Sequence, residues 1–363
     1  MNKIALIVGA RPNFMKIAPI ERECQHRGIQ TILIHTGQHY DYNMSEIFFK
    51  DLNIREPDIH LNVGSDSHAK QTAKIMIEFE KVCIDENPSL VLVVGDVNST
   101  IACTIVAKKM NIPVAHVEAG LRSGDRSMPE EINRILTDSI SDLLLTPSID
   151  GNENLLSEGI PSDRIHFVGN IMIDSLYDAI ERCNGIKSDL SLPDKYGLLT
   201  LHRPSNVDDK SKLTEIIQTI IEISNHIKIF FPIHPRTKNK LIEFGLMSTL
   251  KSSDDIILTE PLGYLDFIQA MSSSSLILTD SGGLQEETTA LGIPCLTIRE
   301  NTERPITILE GTNTLVGTSK SKILEEFYTL KSKDFSSNGK KPKFWDGRTS
   351  SRIIDVVEGY LND

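Results

Sequence analysis

Short apolar segments alternate with amphipathic stretches along most of the chain. The apolar segments end at Gly, His, Asp or Thr, and they predict strands at Ile4–Val8, Thr31–His35, Leu90–Val94, Val114–Val117, Leu143–Leu145, Ile165–Val168, Leu198–Leu201, Ile227–Phe231, Ile256–Leu258, Leu276–Thr279 and near Ile293–Ile298. Helical periodicity lies between most of them, for example at Ala69–Val82, Ile173–Arg182, Lys212–Asn225 and Ser350–Tyr360. Because strands that alternate with helices form parallel sheets covered on both faces, the pattern predicts an α/β protein.

The chain is long enough to form two domains of this kind. It has 363 residues, and single hydrophobic cores stop growing beyond about 250–300 residues. The first series of strands ends near Val168, and the polar loop Asn184–Asp194 precedes the second series. We predict one doubly wound domain over residues 1–170, a second over 171–345 and a closing helix over 346–363, with Lys331–Lys343 as a loop. Ligands of such sheets bind at the carboxyl ends of the strands.

Composition and charge narrow the classes of function. The net charge of −12 argues against non-specific binding to nucleic acid. No apolar run reaches the length of a membrane span, and the first apolar run is too short for a signal peptide, so we expect a cytoplasmic protein. Five widely spaced cysteines predict structural thiols rather than a disulfide framework or a zinc site. His35 and His39 are four residues apart but lie in a predicted loop, so we expect no metal site.

Three carboxylates of the first domain are candidates for proton transfer. Asp96 follows a strand in GDVNST (95–100), Glu118 ends a strand in HVEAGLRSGD (116–125), and Glu130 begins a helix in PEEINR (129–134). Helix capping and the helix dipole are the structural alternatives for Asp96 and Glu130. Carboxylates brought close together raise the pKa of at least one of them, and this produces acids and bases that act at neutral pH. The arrangement therefore indicates proton-transfer chemistry.

Basic residues and glycine-rich turns predict that an anionic ligand binds near the same strand ends. Arg11 and Lys16 flank a helix start after Gly9, which indicates either a phosphate contact or a solvated turn. The second domain adds groups of the same kind after its strands, namely His202, His234, the turn Ser281-Gly282-Gly283, and Arg304 in RENTERP (299–305). Glu287 lies one turn into the helix after that glycine turn and could hold a ribose hydroxyl pair. Tight strand–helix contact at the glycines and a salt-bridged loop at 299–305 are the structural alternatives.

Taken together and in order, these motifs closely resemble those of the non-hydrolysing UDP-N-acetylglucosamine 2-epimerase family. The resemblance extends over residues 9–317 and rests on GARPNFMKIAPI, HTGQH, GDVNST, HVEAGLRSGD, PEEINR, HRPSN, DSGGLQEE, RENTERP and GTNTLVG. It implies two Rossmann-like domains in a GT-B arrangement with the active site in the interdomain cleft. It also implies a homodimer that interconverts UDP-GlcNAc and UDP-ManNAc for cell-envelope or capsular polysaccharide precursors. UDP is eliminated and added back to a 2-acetamidoglucal intermediate, and neither a metal nor another cofactor is required.

The resemblance also implies roles for individual residues. The catalytic positions of the family match Asp96, Glu118, Glu130 and His202. The contacts to UDP match Arg11, Ser281, Gly282, Gly283 and Glu287, and a position beside the uracil matches Phe267. Lys16 and Arg134 match other positions that line the cleft. Which carboxylate is the acid and which is the base stays open at this point.

Departures from the family pattern leave alternatives open. Asn13 and Phe14 stand where the best-known bacterial members have Glu and Ala, and Pro204-Ser205 replaces an Arg-Glu pair. These changes leave room for a modified UDP-2-acetamido sugar, such as a 6-deoxy sugar or a uronic acid. Gln38 matches one residue of the family's activating second site, but Asp41 and the arginine-free stretch Val63–His68 argue against that site. A hydrolysing epimerase, a glycosyltransferase and an inactive nucleotide-sugar sensor are further alternatives.

Overall fold

The chain forms two compact units in a computed structural model that describes residues 2–37, 49, 52–184 and 190–362. One unit contains Met1–Tyr177 and Lys343–Asp363, and the other contains Asp178–Pro342. The boundary near residue 177 falls inside a helix, whereas the prediction placed a domain limit at 170 and a connecting loop at 184–194. The C-terminal helix, predicted as a separate closing element, belongs to the first unit.

Within the described residues, the first unit contains a parallel sheet of seven strands in the order β3-β2-β1-β4-β5-β6-β7. The strands are β1 (Lys3–Val8), β2 (Gln30–His35), β3 (Ile59–His60), β4 (Leu90–Val94), β5 (Val114–Val117), β6 (Leu143–Thr146) and β7 (Ile165–Phe167). The helices are α1 (Arg11–His26), α2 (His68–Glu86), α3 (Asn98–Lys109), α4 (Pro129–Ile140), α5 (Ile149–Ser157) and α6 (Ile171–Cys183), with a 3₁₀ helix at Ser162–Arg164. Helix α6 crosses into the second unit.

The second unit repeats this architecture with six parallel strands in the part of the chain that the structure describes, in the order β10-β9-β8-β11-β12-β13. The strands are β8 (Tyr196–Thr200), β9 (Lys228–Pro232), β10 (Ile256–Thr259), β11 (Leu276–Thr279), β12 (Cys295–Thr297) and β13 (Asn313–Leu315). The helices are α7 (Pro204–Val207), α8 (Lys210–Ser224), α9 (Pro235–Glu243), α10 (Met247–Lys251), α11 (Tyr264–Ser272), α12 (Gly282–Leu291), α13 (Ile306–Leu309) and α14 (Lys320–Ser332). The predicted fold class, α/β with two Rossmann-like doubly wound domains, is confirmed.

The chain then returns to the first unit and ends in α15 (Thr349–Asn362). Trp345 is 1% exposed and donates from Nε1 to the carbonyl oxygen of Pro147 at 3.1 Å. Arg27 at the end of α1 bonds Asp355 at 2.6 Å and Glu358 at 2.8 Å. A buried indole and an ionic contact therefore attach the C-terminal segment to the first unit.

The central strands of both sheets are largely apolar, as expected for parallel sheets that are covered on both faces. All five residues of β4 are buried, as expected for a central parallel strand. In the first unit Ile75 and Phe79 of α2 pack over these strands, and in the second unit Ile216 and Ile220 of α8 do the same. No helix among the described residues is long and apolar enough to cross a membrane.

The strand order determines where ligand-binding groups lie. In both sheets the order reverses beside the first strand, between β1 and β4 and between β8 and β11. Loops that leave two such strands diverge to opposite faces and open a crevice at their carboxyl ends. Residues 9–16 and 95–96 follow the strands that flank this point in the first unit, and residues 201–203 and 280–283 follow those in the second. Some of the predicted site residues of each unit, among them Arg11 and Asp96 in the first and His202 and Ser281 in the second, thus lie at its switch point.

Candidate active site

Glu118 and Lys16 form a buried ion pair at the switch point of the first sheet. Glu118 follows β5 with a φ of +73°, a left-handed conformation that is uncommon outside glycine. Its Oε2 accepts a hydrogen bond from Lys16 Nζ, and both residues are only 8% exposed. The ammonium group offsets the cost of burying the carboxylate. Lys16, predicted as a substrate contact, thus has a protein partner in this structure.

The lack of a side chain at Gly95 makes room for this ion pair. A Cβ added at Gly95 would lie 3.0 Å from Lys16 Nζ and 3.6 Å from Glu118 Oε2, and the φ of Gly95 is +69°. Both the backbone conformation and the close approach therefore require glycine. The ion pair consequently lies directly beside the residue that precedes Asp96.

Asp96 is held by Arg134 rather than used as a helix cap. Its Oδ2 lies 3.0 Å from Arg134 Nε and 2.8 Å from Nη2. Helix α3 begins after Val97, which provides no side-chain cap. The Asp96 side chain is 32% exposed, so its carboxylate remains accessible to a ligand while the arginine fixes its orientation. The capping alternative is therefore not what the structure shows.

The two glutamates that begin α4 have different environments. Glu131 is 1% exposed and accepts backbone N–H bonds from Ser123 and Gly124, each at 3.0 Å. Burial raises the pKa of Glu131, but these bonds and the nearby Arg134 outweigh it, so the net pKa is lowered. Glu131 thus fixes the loop after Glu118. Glu130, the predicted catalytic residue, lies half-buried on the same first turn.

Asn13, a departure from the family pattern, fixes the turn after β1. Its Oδ1 accepts from the backbone N of Gly9 at 3.2 Å and of Ala10 at 2.8 Å, and its Nδ2 donates to Val94 O at 3.1 Å. Arg11, exposed at the start of α1, is presented by this turn. A Cβ added at Gly9, the residue before this turn, would lie 2.2 Å from Ser99 Oγ. Contact within the protein therefore explains that glycine.

In the second unit, buried Asp280 orients His202. The Asp280 carboxylate is 0% exposed and lies 2.9 Å from His202 Nδ1. It also accepts from the backbone N–H groups of His202 and Arg203, at 3.1 and 2.9 Å. Burial raises the pKa of Asp280, but His202 and the backbone donors outweigh it, so the net pKa is lowered. An ionised Asp280 holds a proton on His202 Nδ1 and directs Nε2 away from itself.

Gly282 and Gly283 begin α12 without a conformational or steric requirement for glycine from the protein itself. A Cβ at Gly283 would meet nothing within 4 Å, and one at Gly282 would meet only Arg299 Nη1 at 3.8 Å. Neither glycine has a φ in the left-handed region. The alternative that these glycines permit tight strand–helix contact therefore fails. Ser281 precedes them as the N-cap of α12, and open space in front of a helix N-terminus suits an anion.

Glu287 lies on the second turn of α12 and is buried, with 6% exposure. Burial, reinforced by Glu286, raises its pKa from 4.5 to about 8. Burial, with a smaller effect of the Glu287 charge, raises the pKa of Tyr264 on α11. The buried hydroxyl group of Tyr264 has no hydrogen-bond partner among the described residues. Phe267, predicted beside the uracil, lies half-buried one turn after Tyr264.

The other basic groups of the second unit that the sequence singled out have protein partners. Arg304 Nε lies 2.9 Å from Glu286 Oε1, and Arg299 Nη2 lies 2.9 Å from Glu303 Oε2. The loop 299–305 is thus salt-bridged, which is the alternative to a ligand contact that the sequence left open for this segment. His234 begins α9 and accepts from Arg236 N through Nδ1 at 3.2 Å. Its ring centroid is 5.6 Å from that of His202.

Comparison with known proteins identifies the family to which this geometry belongs. The sequence profile of the UDP-N-acetylglucosamine 2-epimerase family matches residues 22–358. The chain belongs to this family. A UDP-N-acetylglucosamine 2-epimerase from Methanocaldococcus jannaschii is 45% identical over 363 residues, covering 98% of each chain.

Solved structures of other 2-epimerases share the fold over the whole chain. The M. jannaschii enzyme in complex with UDP-GlcNAc and UDP has a TM-score of 0.86 at 45% identity, covering 98% of this chain and 99% of that one. The Neisseria meningitidis UDP-GlcNAc 2-epimerase bound to UDP-GlcNAc has a TM-score of 0.88 at 32% identity, covering 98% and 100%. A Pseudomonas aeruginosa UDP-2,3-diacetamido-2,3-dideoxy-D-glucuronate 2-epimerase is 40% identical over 359 residues, covering 98% of this chain and 99% of that one.

The described residues bear only partly on two expectations about other ligands, a metal site and an activating second site. Within residues 2–37, 49, 52–184 and 190–362, no group of three or more His, Cys, Asp or Glu side chains is arranged to hold a metal. Gln38, His39 and Asp41, on which the predictions about a metal site and an activating second site partly rested, lie outside the described residues.

Proposed function

We propose that this chain is a non-hydrolysing 2-epimerase that interconverts UDP-GlcNAc and UDP-ManNAc. The observation that carries the proposal is the pair of fixed carboxylates at one switch point, Glu118 against Lys16 and Asp96 against Arg134. Inversion at C2 requires such groups because one proton leaves the carbon and another returns to it. The M. jannaschii relative, whose crystal structure holds UDP-GlcNAc and UDP, supports the same ligand class here.

The proposed reaction transfers protons with residues of the first unit. One group removes the C2 proton, and the electron pair of the C2–H bond forms the C1=C2 double bond. The C1–O bond breaks at the same time, and its electrons leave with UDP. UDP then adds back to C1 while a second group returns a proton to the opposite face of C2. Asp96, Glu118 and Glu130 are the candidates for the two proton-transfer groups.

The second unit is assigned to the nucleotide. The open N-terminus of α12 at Gly282 and Gly283 offers backbone N–H groups to a phosphate. His202 is oriented by Asp280 through Nδ1. When both of its ring nitrogens carry protons, Nε2 donates a hydrogen bond to the departing phosphate oxygens. Such donors stabilise the negative charge that develops on UDP as the C1–O bond breaks. Glu287 is assigned to the ribose hydroxyl groups.

A modified UDP-2-acetamido sugar is the second candidate substrate. The observation that favours it is the 40% identity to a P. aeruginosa enzyme whose substrate is a diacetamido glucuronate. That sugar carries a carboxylate in place of the C6 hydroxymethyl group, so the two candidates differ in charge. Asn13, which replaces the family's glutamate in the turn after β1, removes a negative charge near the first sheet's switch point.

Product analysis by NMR tests the proposal. The purified protein is incubated separately with UDP-GlcNAc and with UDP-2,3-diacetamido-2,3-dideoxy-glucuronate. The proposal expects UDP-ManNAc at equilibrium with UDP-GlcNAc and no accumulation of UDP. Free UDP together with ManNAc identifies a hydrolysing enzyme, and turnover of the uronate alone identifies the second candidate.

Matched variants separate the proposed chemistry from a contaminating activity. Glu118→Gln keeps the shape of the buried side chain but cannot accept the proton, so turnover should fall to background. Glu325→Gln changes an exposed glutamate on α14 in the same way and should leave turnover unchanged. Equal activity of both variants would remove Glu118 from the mechanism. The resemblance also predicts a homodimer, which sedimentation of the same preparation tests.

A further inference from the structure

His116 is a fully buried histidine whose two ring nitrogens both face hydrogen-bond acceptors. It lies on β5, two residues before Glu118, and is 0% exposed. Its Nδ1 lies 2.7 Å from Asp138 Oδ1, and its Nε2 lies 2.8 Å from the carbonyl oxygen of Gly95. A carbonyl oxygen can only accept, so Nε2 of His116 donates to Gly95. The ring therefore links Asp138 on α4 to the Gly95 carbonyl group.

Asp138 is the centre of this buried cluster. It is 0% exposed, and its Oδ2 accepts from the backbone N of Gly120 at 3.1 Å and from Arg122 Nη1 at 2.7 Å. Burial raises the pKa of Asp138, but His116 and Arg122 outweigh it and lower the net pKa. Asp138 is thus held by His116, by the guanidinium group of Arg122 and by the backbone of Gly120.

The cluster fastens both turns that carry candidate catalytic carboxylates. Through His116 it holds the carbonyl of Gly95, whose next residue is Asp96. Through the N–H of Gly120 it holds the end of the turn in which Glu118 has its left-handed backbone. Helix α4 adds a second hold on Asp96, because Arg134 lies one helical turn before Asp138. Strand pairing alone does not require a buried polar cluster that is shared by the turns of Asp96 and Glu118.

We propose that His116 is a positioning residue that, through its hydrogen bond to the Gly95 carbonyl group, sets the place of the Asp96 turn relative to Glu118. The inference rests on the proposed function, since it concerns the same carboxylates. His116 does not touch the reacting atoms in this account. It acts by holding Gly95, and a displacement of about 1 Å at a catalytic group can cost on the order of 100-fold in rate.

Two substitutions of His116 separate its two hydrogen bonds. The amide nitrogen of glutamine reaches the place of Nε2, and that of asparagine reaches the place of Nδ1. His116→Gln therefore keeps the bond to Gly95 and loses the bond to Asp138, whereas His116→Asn does the reverse. We expect kcat of His116→Asn to fall on the order of 100-fold with an unchanged KM, and His116→Gln to retain most of the turnover.

A role in stability alone gives a different pattern. Both variants would then lose thermal stability, and their kcat values would fall together or not at all. Equal kcat values in the two variants, or a rise in KM that accounts for the loss in His116→Asn, overturn the proposal. Thermal unfolding of each variant is measured alongside the kinetics to make this comparison.

A measurement on the wild-type protein keeps the proposal falsifiable if the variants do not fold. Long-range proton–nitrogen NMR of the histidine rings reports which ring nitrogens carry protons. We expect one buried ring, that of His116, to carry a proton on Nε2 that is hydrogen-bonded to the carbonyl oxygen of Gly95; a His116 ring without a proton on Nε2 overturns the proposal. If the protein does not epimerise UDP-sugars, the proposed function fails while this result still decides the state of His116.

Discussion

Replacing Glu287 by glutamine should stabilise the unliganded protein at alkaline pH. The pKa of this carboxyl group rises from 4.5 to about 8 because the side chain is buried, with Glu286 adding to the effect. Between these values the folded state keeps the proton that the unfolded state has lost. Folding therefore takes up a proton, and the stability of the wild-type protein falls as the pH rises through this window.

The size of the effect follows from the pKa values. A shift from 4.5 to about 8 corresponds to roughly 5 kcal/mol, at about 1.36 kcal/mol for each pH unit. Glutamine does not titrate, so the variant lacks this loss. A unit of this size changes its Tm by about 2 °C for each kcal/mol. Between pH 5 and pH 8 the wild-type Tm should therefore fall by roughly 10 °C relative to the Tm of Glu287→Gln, and the difference between the two Tm values should stay constant above pH 8.

Thermal unfolding of both proteins from pH 5 to pH 9 measures this difference. Glu325→Gln, a change at an exposed glutamate of the same unit, is the control and should follow the wild type at every pH. A Tm difference between Glu287→Gln and wild type that stays constant over this range would refute the reasoning, because it would show that Glu287 ionises normally. The same variant should bind UDP more weakly, since the carboxylate assigned to the ribose is absent.

Four further substitutions, one of them a control, test the proposed roles of separate residues. Arg11→Ala should weaken UDP binding at least about tenfold by calorimetry, and unchanged affinity would exclude a phosphate contact. Gly95→Ala and Gly28→Ala should each lose about 1–2 kcal/mol of stability from a left-handed backbone, but only Gly95→Ala, whose Cβ meets Lys16, should also lose turnover. Asp280→Asn should lower kcat on the order of 100-fold by releasing His202, and wild-type kinetics would contradict that role.

Strand and helix positions followed from the sequence wherever apolar periodicity was long. The segments Leu90–Val94, Val114–Val117 and Leu276–Thr279 are strands with the predicted limits. The strands β3 (Ile59–His60) and β13 (Asn313–Leu315) were missed because each is short and at least half polar, so neither forms an apolar run. The predicted strand near Ile293–Ile298 is shorter, Cys295–Thr297, because its flanking residues connect it to α12 and to the loop 299–305.

The partners of the site residues could not be predicted in the same way. Lys16 and Glu118 were both named from their motifs, but their contact joins residues 102 positions apart. His116 stood in a quoted motif without an assigned role and Asp138 stood in none, because a contact between a strand and a helix leaves only one polar residue in each segment of the sequence. Asp280 was part of a motif, and only the structure shows that it orients His202. The sequence thus names candidate residues, and the fold determines what holds them.

Solvent proton exchange at C2 tests whether Asp96, Glu118 and Glu130 transfer protons to and from the sugar. The purified protein is incubated with UDP-GlcNAc in deuterated water, and the C2 position of both UDP-sugars is followed by proton NMR. The account predicts deuterium at C2 in the UDP-ManNAc that forms, because the proton removed by one group is replaced by another from a group that exchanges with solvent. UDP-ManNAc that forms with the original proton retained at C2 would contradict proton transfer through Asp96, Glu118 and Glu130, and no UDP-ManNAc at all would contradict the assigned substrate.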